Sequence, residues 1–327
     1  MNLKKWYYLR FKSHRMPDCI HVFGTFPNIS YVEYKGCQTR NPSTITLVQE
    51  TIKINAELFE NKKLDFFIYT EDRSEDAERL RKKLNLKTIF AFHTTPQLKD
   101  TVIPIPDFTY IGWPECGLTT WEEVVASCHE RASKPYDMEQ CFWIGNVSMH
   151  KTREVLCELA EQYPQLLKAV GMGWKSNTIN FNADTMTTQY VSLPDHAKYK
   201  FLIDIRGLGW SGRLKFLLHL KRPIIIVDRP YQEFYFPYLK PFQNYIPVQA
   251  DLSDFIEKLK WLNENKEEYR KICLETEKFA QQYLSKKFAM KYLCEMIQQY
   301  GIVKKIFLNE SKQKGQVVAQ SKNELTI

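Results

Sequence analysis

The chain has 327 residues, which is too long for one small hydrophobic core and suits two domains of ordinary size. Apolar residues make up 44% of it, enough for packed cores, and a net charge of +8 favours an anionic partner such as a phosphorylated substrate. The basic residues are dispersed and none of the eight cysteines forms a C-x-x-C pair, which argues against a nucleic-acid-binding arm and a zinc ribbon.

The N-terminal residues 1–16 are basic and aromatic, and they lack the apolar core of a signal peptide. No stretch approaches the roughly 20 apolar residues that cross a bilayer. We therefore expect a cytoplasmic protein. Lysines and arginines around Trp6 and Tyr7 also suit an anionic membrane surface, so peripheral attachment to the inner face of the cytoplasmic membrane is predicted. A first helix packed on the domain is the alternative.

The first half of the chain mixes strand-like and helical patterns. Leu64–Thr70 is a bounded apolar run typical of a buried strand, and Ser74–Leu84 follows as a helix that Ser74 is expected to cap. The acidic residues from Glu71 to Asp76 could mimic a metal site, but we interpret them as acids that favour the positive end of this helix. No D-x-D motif is present, so no metal is expected.

Polar composition marks the expected domain boundary. Ala132–Glu139 contains Pro135 and is typical of a link, which predicts a first domain over residues 1–135 and a second over 136–303. The late helices, around Lys286–Val303, are candidates for crossing back to the first domain. Residues 304–327 are polar and are predicted to be a loosely ordered tail.

Two strand–loop–helix units in the second half each place cations where an anion is expected. Strand Phe201–Ile205 leads through a glycine-bearing loop to a predicted helix Ser211–Leu220, with Ser211 as N-cap and Arg213 in the first turn. A cation there opposes the helix dipole unless an anion binds beside it. Phe142–Leu156 has the same pattern, with Ser148 as expected cap and Arg153 in the first turn. Solvated surface arginines are the alternative interpretation.

This second half resembles glycosyltransferase family 90, which includes protein O-glucosyltransferases, capsule xylosyltransferases and bacterial lipopolysaccharide glycosyltransferases. The resemblance fades toward the N-terminus. The matching elements, in order, are His196, Lys198-Tyr199-Lys200, Arg206-Gly207, Ser211, Arg213, Glu233-Phe234, Leu239-Lys240-Pro241, Tyr245-Ile246-Pro247-Val248 and Asp251-Leu252-Ser253.

The resemblance implies an α/β fold of the GT-B type, with two Rossmann-like domains facing a cleft and a helical C-terminal segment. It also implies that one group of residues binds the nucleotide sugar: Ser148, Arg153, Leu208, Gly209, Trp210, Ser211 and Arg213. In such enzymes an aspartate of a Pro-Asp motif is the general base, and Pro106-Asp107 matches it here.

The base assignment leaves alternatives open. Asp107 could be a turn residue after Pro106, and Glu115 is a rival base because Gly112-Trp113-Pro114-Glu115 departs from the family pattern. Asp228 and Arg229 could touch the donor's ribose or sugar, or form a surface turn.

The function expected from the resemblance is inverting transfer of a sugar from a UDP-sugar to an envelope glycan in a bacterium, with lipopolysaccharide core as the favoured acceptor and no cofactor. A protein or capsule glycosyltransferase is the runner-up. A catalytically inactive nucleotide-sugar-binding protein is the alternative from a different class, and nucleic acid is not an expected partner.

Overall fold

The computed structural model describes residues 18–34, 40–114, 117–172 and 191–303. The rival base Glu115, the basic N-terminal residues 1–16 and the tail 304–327 lie outside these ranges. Two five-stranded sheets, each with its own helices, form two α/β units. No helix in the described ranges has the length and apolarity needed to cross a membrane.

The first sheet is mixed rather than parallel throughout. Its order is β2-β1-β3-β4-β5, and β1 runs antiparallel to both β2 and β3, whereas β3, β4 and β5 are parallel. Its strands and helices are β1 (Cys19–Thr25), β2 (Asn28–Tyr34), α1 (Asn41–Ile54), α2 (Ala56–Phe59), β3 (Lys63–Tyr69), α3 (Ser74–Lys83), β4 (Ile89–Ala91) and β5 (Val102–Pro104).

Local prediction was accurate for β3 and less so for the start of α3. The strand expected over Leu64–Thr70 is confirmed within one residue. The predicted cap is wrong, because Ser74 is already the first helical residue and Arg73 occupies the N-cap position without a side-chain cap. The acidic residues that follow still favour the positive end of the helix.

The second sheet is parallel in all its pairings, with the order β10-β9-β8-β6-β7. The elements from the end of the first sheet onward are α4 (Trp121–Ala132), β6 (Met138–Asn146), α5 (Lys151–Gln162), β7 (Leu167–Met172), β8 (Tyr199–Asp204), α6 (Leu214–Leu217), β9 (Ile224–Val227), β10 (Ile246–Val248), α7 (Phe255–Glu264), α8 (Lys266–Tyr283) and α9 (Lys286–Met296). In such sheets ligands bind outside the carboxyl ends of the strands.

The chain passes between the two units twice. Helix α4 packs on the second unit, where the ring of Trp121 lies 4.9 Å from that of Phe216. After α8 the chain returns: Lys286 of α9 pairs with Glu50 of α1 at 3.1 Å, and the Val303 amide donates to the Lys63 carbonyl at 2.9 Å. Residues 286–303, which the predicted boundaries put in the second domain, therefore also pack on the first, while Tyr292 still lies 5.1 Å from Phe234 of the second.

These features establish the GT-B type of fold that the resemblance implied. Two α/β units face each other, and the helical C-terminal part spans both. Buried apolar residues of the two units form one continuous cluster, including Trp121 and Phe216, so the units are joined by a packed interface as well as by the chain.

Candidate active site

A cavity of about 410 Å³ lies between the two units, at the carboxyl ends of β6, β7 and β8. Both units contribute side chains to its wall. Those from the first unit include Arg40, Asp72, Phe108, Thr109 and Trp113, and those from the second include Asn146, Arg153, His196 and the segment from Gly207 to Arg213. Five of the seven residues predicted to bind the donor lie in that segment, and Arg153 is the sixth.

The segment 207–213, which we call the donor loop, is held by a buried carboxylate. The predicted helix Ser211–Leu220 is wrong in extent: α6 covers only Leu214–Leu217, and its N-cap is Arg213. Ser211 is not a cap, because its hydroxyl donates to Asp204 at 2.5 Å. Asp204 ends β8 with no exposed surface, and a buried carboxylate requires donors of this kind.

The donor loop touches the first unit at Gly209 and Trp210. A Cβ atom on Gly209 would lie 1.6 Å from the carbonyl oxygen of Asp72, so only glycine permits this approach. The Trp210 ring packs 5.6 Å from Phe92 and 4.9 Å from His93. The loop therefore forms part of the interface between the units.

Arg153 and Arg213 place positive charge on the second unit's wall. Arg153 is buried and donates to three backbone carbonyls, those of Asn146 at 2.8 Å, Arg206 at 2.9 Å and Ile205 at 3.3 Å. Burial, with the charge of Arg213 nearby, lowers the pKa of Arg153 to about 10. A bound anion would oppose both effects.

Arg213 is less enclosed than Arg153 and has fewer protein partners. Its guanidinium donates to the carbonyl of Ile144, and its Nε lies 3.8 Å from Asp204. Burial lowers its pKa too. Asp204 already pairs with buried Arg229, so it balances the charge of Arg213 incompletely. The wall has a net positive charge suited to a diphosphate.

Ser148 does not reach the cavity. It is exposed, its hydroxyl donates to the side chain of Asn146 at 2.8 Å, and it does not cap α5. The cap is His150, whose ring nitrogen accepts from the Thr152 amide. The prediction that Ser148 caps the helix is therefore wrong, because a short turn, Val147–Met149, separates β6 from the helix. Asn146 and Met149 line the cavity instead.

Asp107, the predicted base, is buried and has three donors. Its Oδ1 accepts from the amide of Thr109 at 3.0 Å and from its hydroxyl at 2.6 Å, and Oδ2 accepts from Lys215 at 2.6 Å. Its side chain is 6% exposed, and Phe108 and Thr109 line the cavity in its place. A catalytic role for Asp107 stays a prediction, and the bond to Lys215 stabilises the charged carboxylate and so weakens it as a base.

Asp72 is the carboxylate that sequence reasoning missed. Among the described residues that line the cavity it is the one acidic side chain, and 39% of that side chain is exposed. Arg40 donates to its Oδ1 at 2.8 Å, and His93 Nε2 contacts its backbone carbonyl at 2.9 Å. Its position directly after β3, in a loop before a helix, was the available signal, but its neighbouring acids favoured the capping interpretation.

The remaining candidate residues divide between surface and core. Asp228 is exposed, whereas Arg229 is buried and paired with Asp204, with Glu233 3.5 Å away. Burial raises the pKa of Glu233. Within the described ranges no three His, Cys, Asp or Glu side chains come together as a metal site.

Three buried histidines surround the interface and are neutral near pH 7. Burial lowers the pKa of His93 and of His196 to about 4 each, and that of His219 to about 3. His196 lines the cavity, with Nδ1 2.8 Å from the carbonyl oxygen of Ser192. Among the described residues that line the cavity, arginines therefore supply the positive charge at neutral pH.

The comparisons with known proteins agree with this geometry. Residues 30–324 match the sequence model of Glycosyl transferase family 90, so the match extends well into the first unit. Protein O-glucosyltransferase 2 of Danio rerio is 27% identical over 242 residues, covering 73% of this chain and 47% of the relative. Protein O-glucosyltransferase 1 of Homo sapiens is 28% identical, with 69% and 59% covered.

The chain spans about half the length of the curated relatives that it matches. Among solved structures, sucrose-phosphate synthase from Thermosynechococcus elongatus superposes loosely, with a TM-score of 0.44, 11% identity, and 78% of this chain and 61% of that one covered. The family match over nearly the whole chain is the decisive finding, and the chain belongs to Glycosyl transferase family 90.

Proposed function

We propose that the protein transfers a sugar from a UDP-sugar to a hydroxyl acceptor in the cavity between its two units, with inversion at the sugar carbon. One observation carries the proposal: one cavity is lined by Arg153 and Arg213 of the second unit and by Asp72 of the first. Sugar transfer needs positive charge at the departing diphosphate and a base at the attacking hydroxyl.

The donor side rests on the arginines and the donor loop. As the bond from the sugar carbon to the diphosphate oxygen breaks, negative charge builds on the diphosphate, and the positively charged Arg213 lines this region. Arg153 is already bonded to three carbonyls, so it supplies mainly charge and holds the ends of β6 and β8 together. No step requires a metal.

On the acceptor side, the accessible carboxylate is the better base. Asp72 has one oxygen bonded to Arg40, and no described residue hydrogen-bonds to the other. Asp107 has both oxygens bonded and lies behind the cavity wall. Attack by an acceptor hydroxyl that Asp72 deprotonates, with the diphosphate leaving toward the arginines, is a single displacement. A single displacement inverts the configuration at the sugar carbon.

Two acceptor classes follow from different observations. Lipopolysaccharide core is the acceptor that the resemblance to bacterial members of the family suggests. The names of the relatives, protein O-glucosyltransferases, favour a hydroxyl group of a protein and a glucosyl donor. We propose the glycan first and the protein as the second candidate.

The test is a panel of nucleotide sugars, with nucleotide release measured with and without core oligosaccharide or folded protein acceptors. Asp72→Asn should lower turnover by at least about a hundredfold, because the isosteric amide cannot take the proton. Its UDP affinity should match that of the wild type. Absence of release from every donor contradicts the proposed activity, and a rate near wild type in Asp72→Asn together with an inactive Asp107→Asn returns the base to Asp107.

A further inference from the structure

One buried ion pair crosses between the two units beside the cavity. Lys215 Nζ lies 2.6 Å from Asp107 Oδ2, and the two side chains are 3% and 6% exposed. The partners are 108 positions apart in the chain, with Asp107 just after β5 of the first sheet and Lys215 in α6 of the second unit. Isolating this pair from water is costly unless each charge is fully bonded.

Both ends of the pair are bonded further. The same Lys215 nitrogen donates to the carbonyl of Gly212 at 2.7 Å, within the donor loop. On the other side, Asp107 Oδ1 is fixed by the amide and hydroxyl of Thr109, which itself lines the cavity. A continuous series of hydrogen bonds thus runs from Thr109, in the first unit's wall of the cavity (the acceptor-side wall), through Asp107 and Lys215 to Gly212, the residue before Arg213.

We infer that Asp107 and Lys215 are a positioning pair, which locks the donor loop against the acceptor-side wall and so sets the distance between the donor diphosphate and the base. The inference rests on the proposed function for what the lock achieves. Neither residue touches the reacting atoms in this role. Positioning matters because a misplacement of about 1 Å at a reaction centre costs about a hundredfold in rate.

The pair makes a specific prediction about combined substitution. Removing one partner leaves the other as an unpaired buried charge, which costs free energy because it has lost its contact with water. Replacing both partners by neutral side chains of similar size removes this desolvation cost. Asp107→Asn and Lys215→Met should each raise the Kd for UDP by at least about tenfold and speed hydrogen exchange of the amides of residues 207–213. The double variant should recover to within about threefold of the wild type in UDP affinity.

A base role for Asp107 predicts a different pattern. Turnover would then stay equally low in Asp107→Asn and in the double variant, while UDP affinity stayed normal throughout; that result overturns the inference. Single variants with wild-type UDP affinity and wild-type exchange in residues 207–213 also overturn it. Recovery of both affinity and kcat in the double variant supports it.

A milder variant covers the case in which a buried single charge prevents folding. Thr109→Val removes only the hydroxyl bond to Asp107, and it should shift UDP affinity and loop exchange in the same direction by a smaller factor. No change in either quantity counts against the lock. Hydrogen exchange of the amides of residues 207–213 can be measured without sugar transfer. A wild-type protein that releases no nucleotide would therefore refute the proposed function, and hydrogen exchange would still test the positioning pair.

Discussion

Substituting Gly209 tests whether the two units must approach as closely as the structure has them. An alanine Cβ there would lie 1.6 Å from the carbonyl oxygen of Asp72 and 2.9 Å from Nε2 of His93. Real Cβ atoms essentially never come closer than 3.0 Å, so the donor loop and the Asp72 loop must separate by about 1.4 Å. The obstacle is backbone, and rotation of a side chain cannot relieve it.

The expected effect is larger on catalysis than on stability. Overpacking of this kind costs about 1–3 kcal/mol of unfolding free energy, because the interface can open to relieve it. A separation of more than 1 Å between base and donor should lower kcat by about a hundredfold or more. Chemical denaturation and a nucleotide-release assay measure the two quantities.

Gly207→Ala is the matched control within the same loop. Its Cβ would meet Trp210 O at 3.5 Å and Arg153 Nη2 at 3.7 Å, which are ordinary contacts, so its activity should stay within about threefold of the wild type. A folded Gly209→Ala protein with the activity of Gly207→Ala would refute the reasoning, since the close approach at Asp72 would then be dispensable.

Three further predictions concern the donor site and the buried histidines. Arg213→Ala should weaken UDP binding by about 1.5–3 kcal/mol in calorimetric titration, and an unchanged affinity would show that the diphosphate does not bind at Arg213. Arg153→Ala should weaken UDP binding by a similar amount. It should also lower the free energy of unfolding, because three backbone carbonyls lose their hydrogen-bond donor. Activity should survive excess EDTA, and loss of activity that manganese restores would contradict metal-free leaving-group stabilisation. The three buried histidines, His93, His196 and His219, are neutral in the folded state. Their contribution to the free energy of unfolding is complete above the unfolded pKa of about 6.5 and is lost as the pH falls toward their folded pKa values. The loss is about 2 kcal/mol for each histidine at pH 5. Urea unfolding at pH 7 and pH 5 measures this loss of unfolding free energy, and the loss should be smaller in His219→Gln. An equal loss in the wild type and in His219→Gln would contradict a neutral, buried His219.

Sequence patterns predicted what is local and missed what depends on distant partners. The apolar run of β3 and the strand–glycine–helix order around β6 and β8 were identifiable because periodicity and turn residues act over a few positions. Helix α6 was predicted too long, since Ser211 turned out to satisfy Asp204, a partner seven residues earlier whose burial the pattern did not reveal.

The sequence located the cavity wall of the second unit more fully than that of the first. The donor loop and Arg153 line the cavity, and their role in binding the donor stays a prediction. Asp72 was set aside because acids before a helix have an ordinary explanation, and Lys215 was overlooked because its partner lies 108 positions away. The position of Asp72 in the cavity and the pairing of Lys215 with Asp107 both depend on how the two sheets pack together, which sequence patterns do not reveal.

The return of α9 to the first unit limits how the protein can be recombined with its relatives. Met290, Leu293 and Ile297 are buried, and they belong in sequence to the end of the chain but in space to the core beside α1 and β3. A chimera that exchanges the first unit at the polar linker alone would join this unit to a foreign last helix. Exchanging the first unit therefore requires two splice points, one near Ala132–Met138 and one at Leu284–Lys286, so that residues 286–303 are exchanged together with the first unit on which they pack.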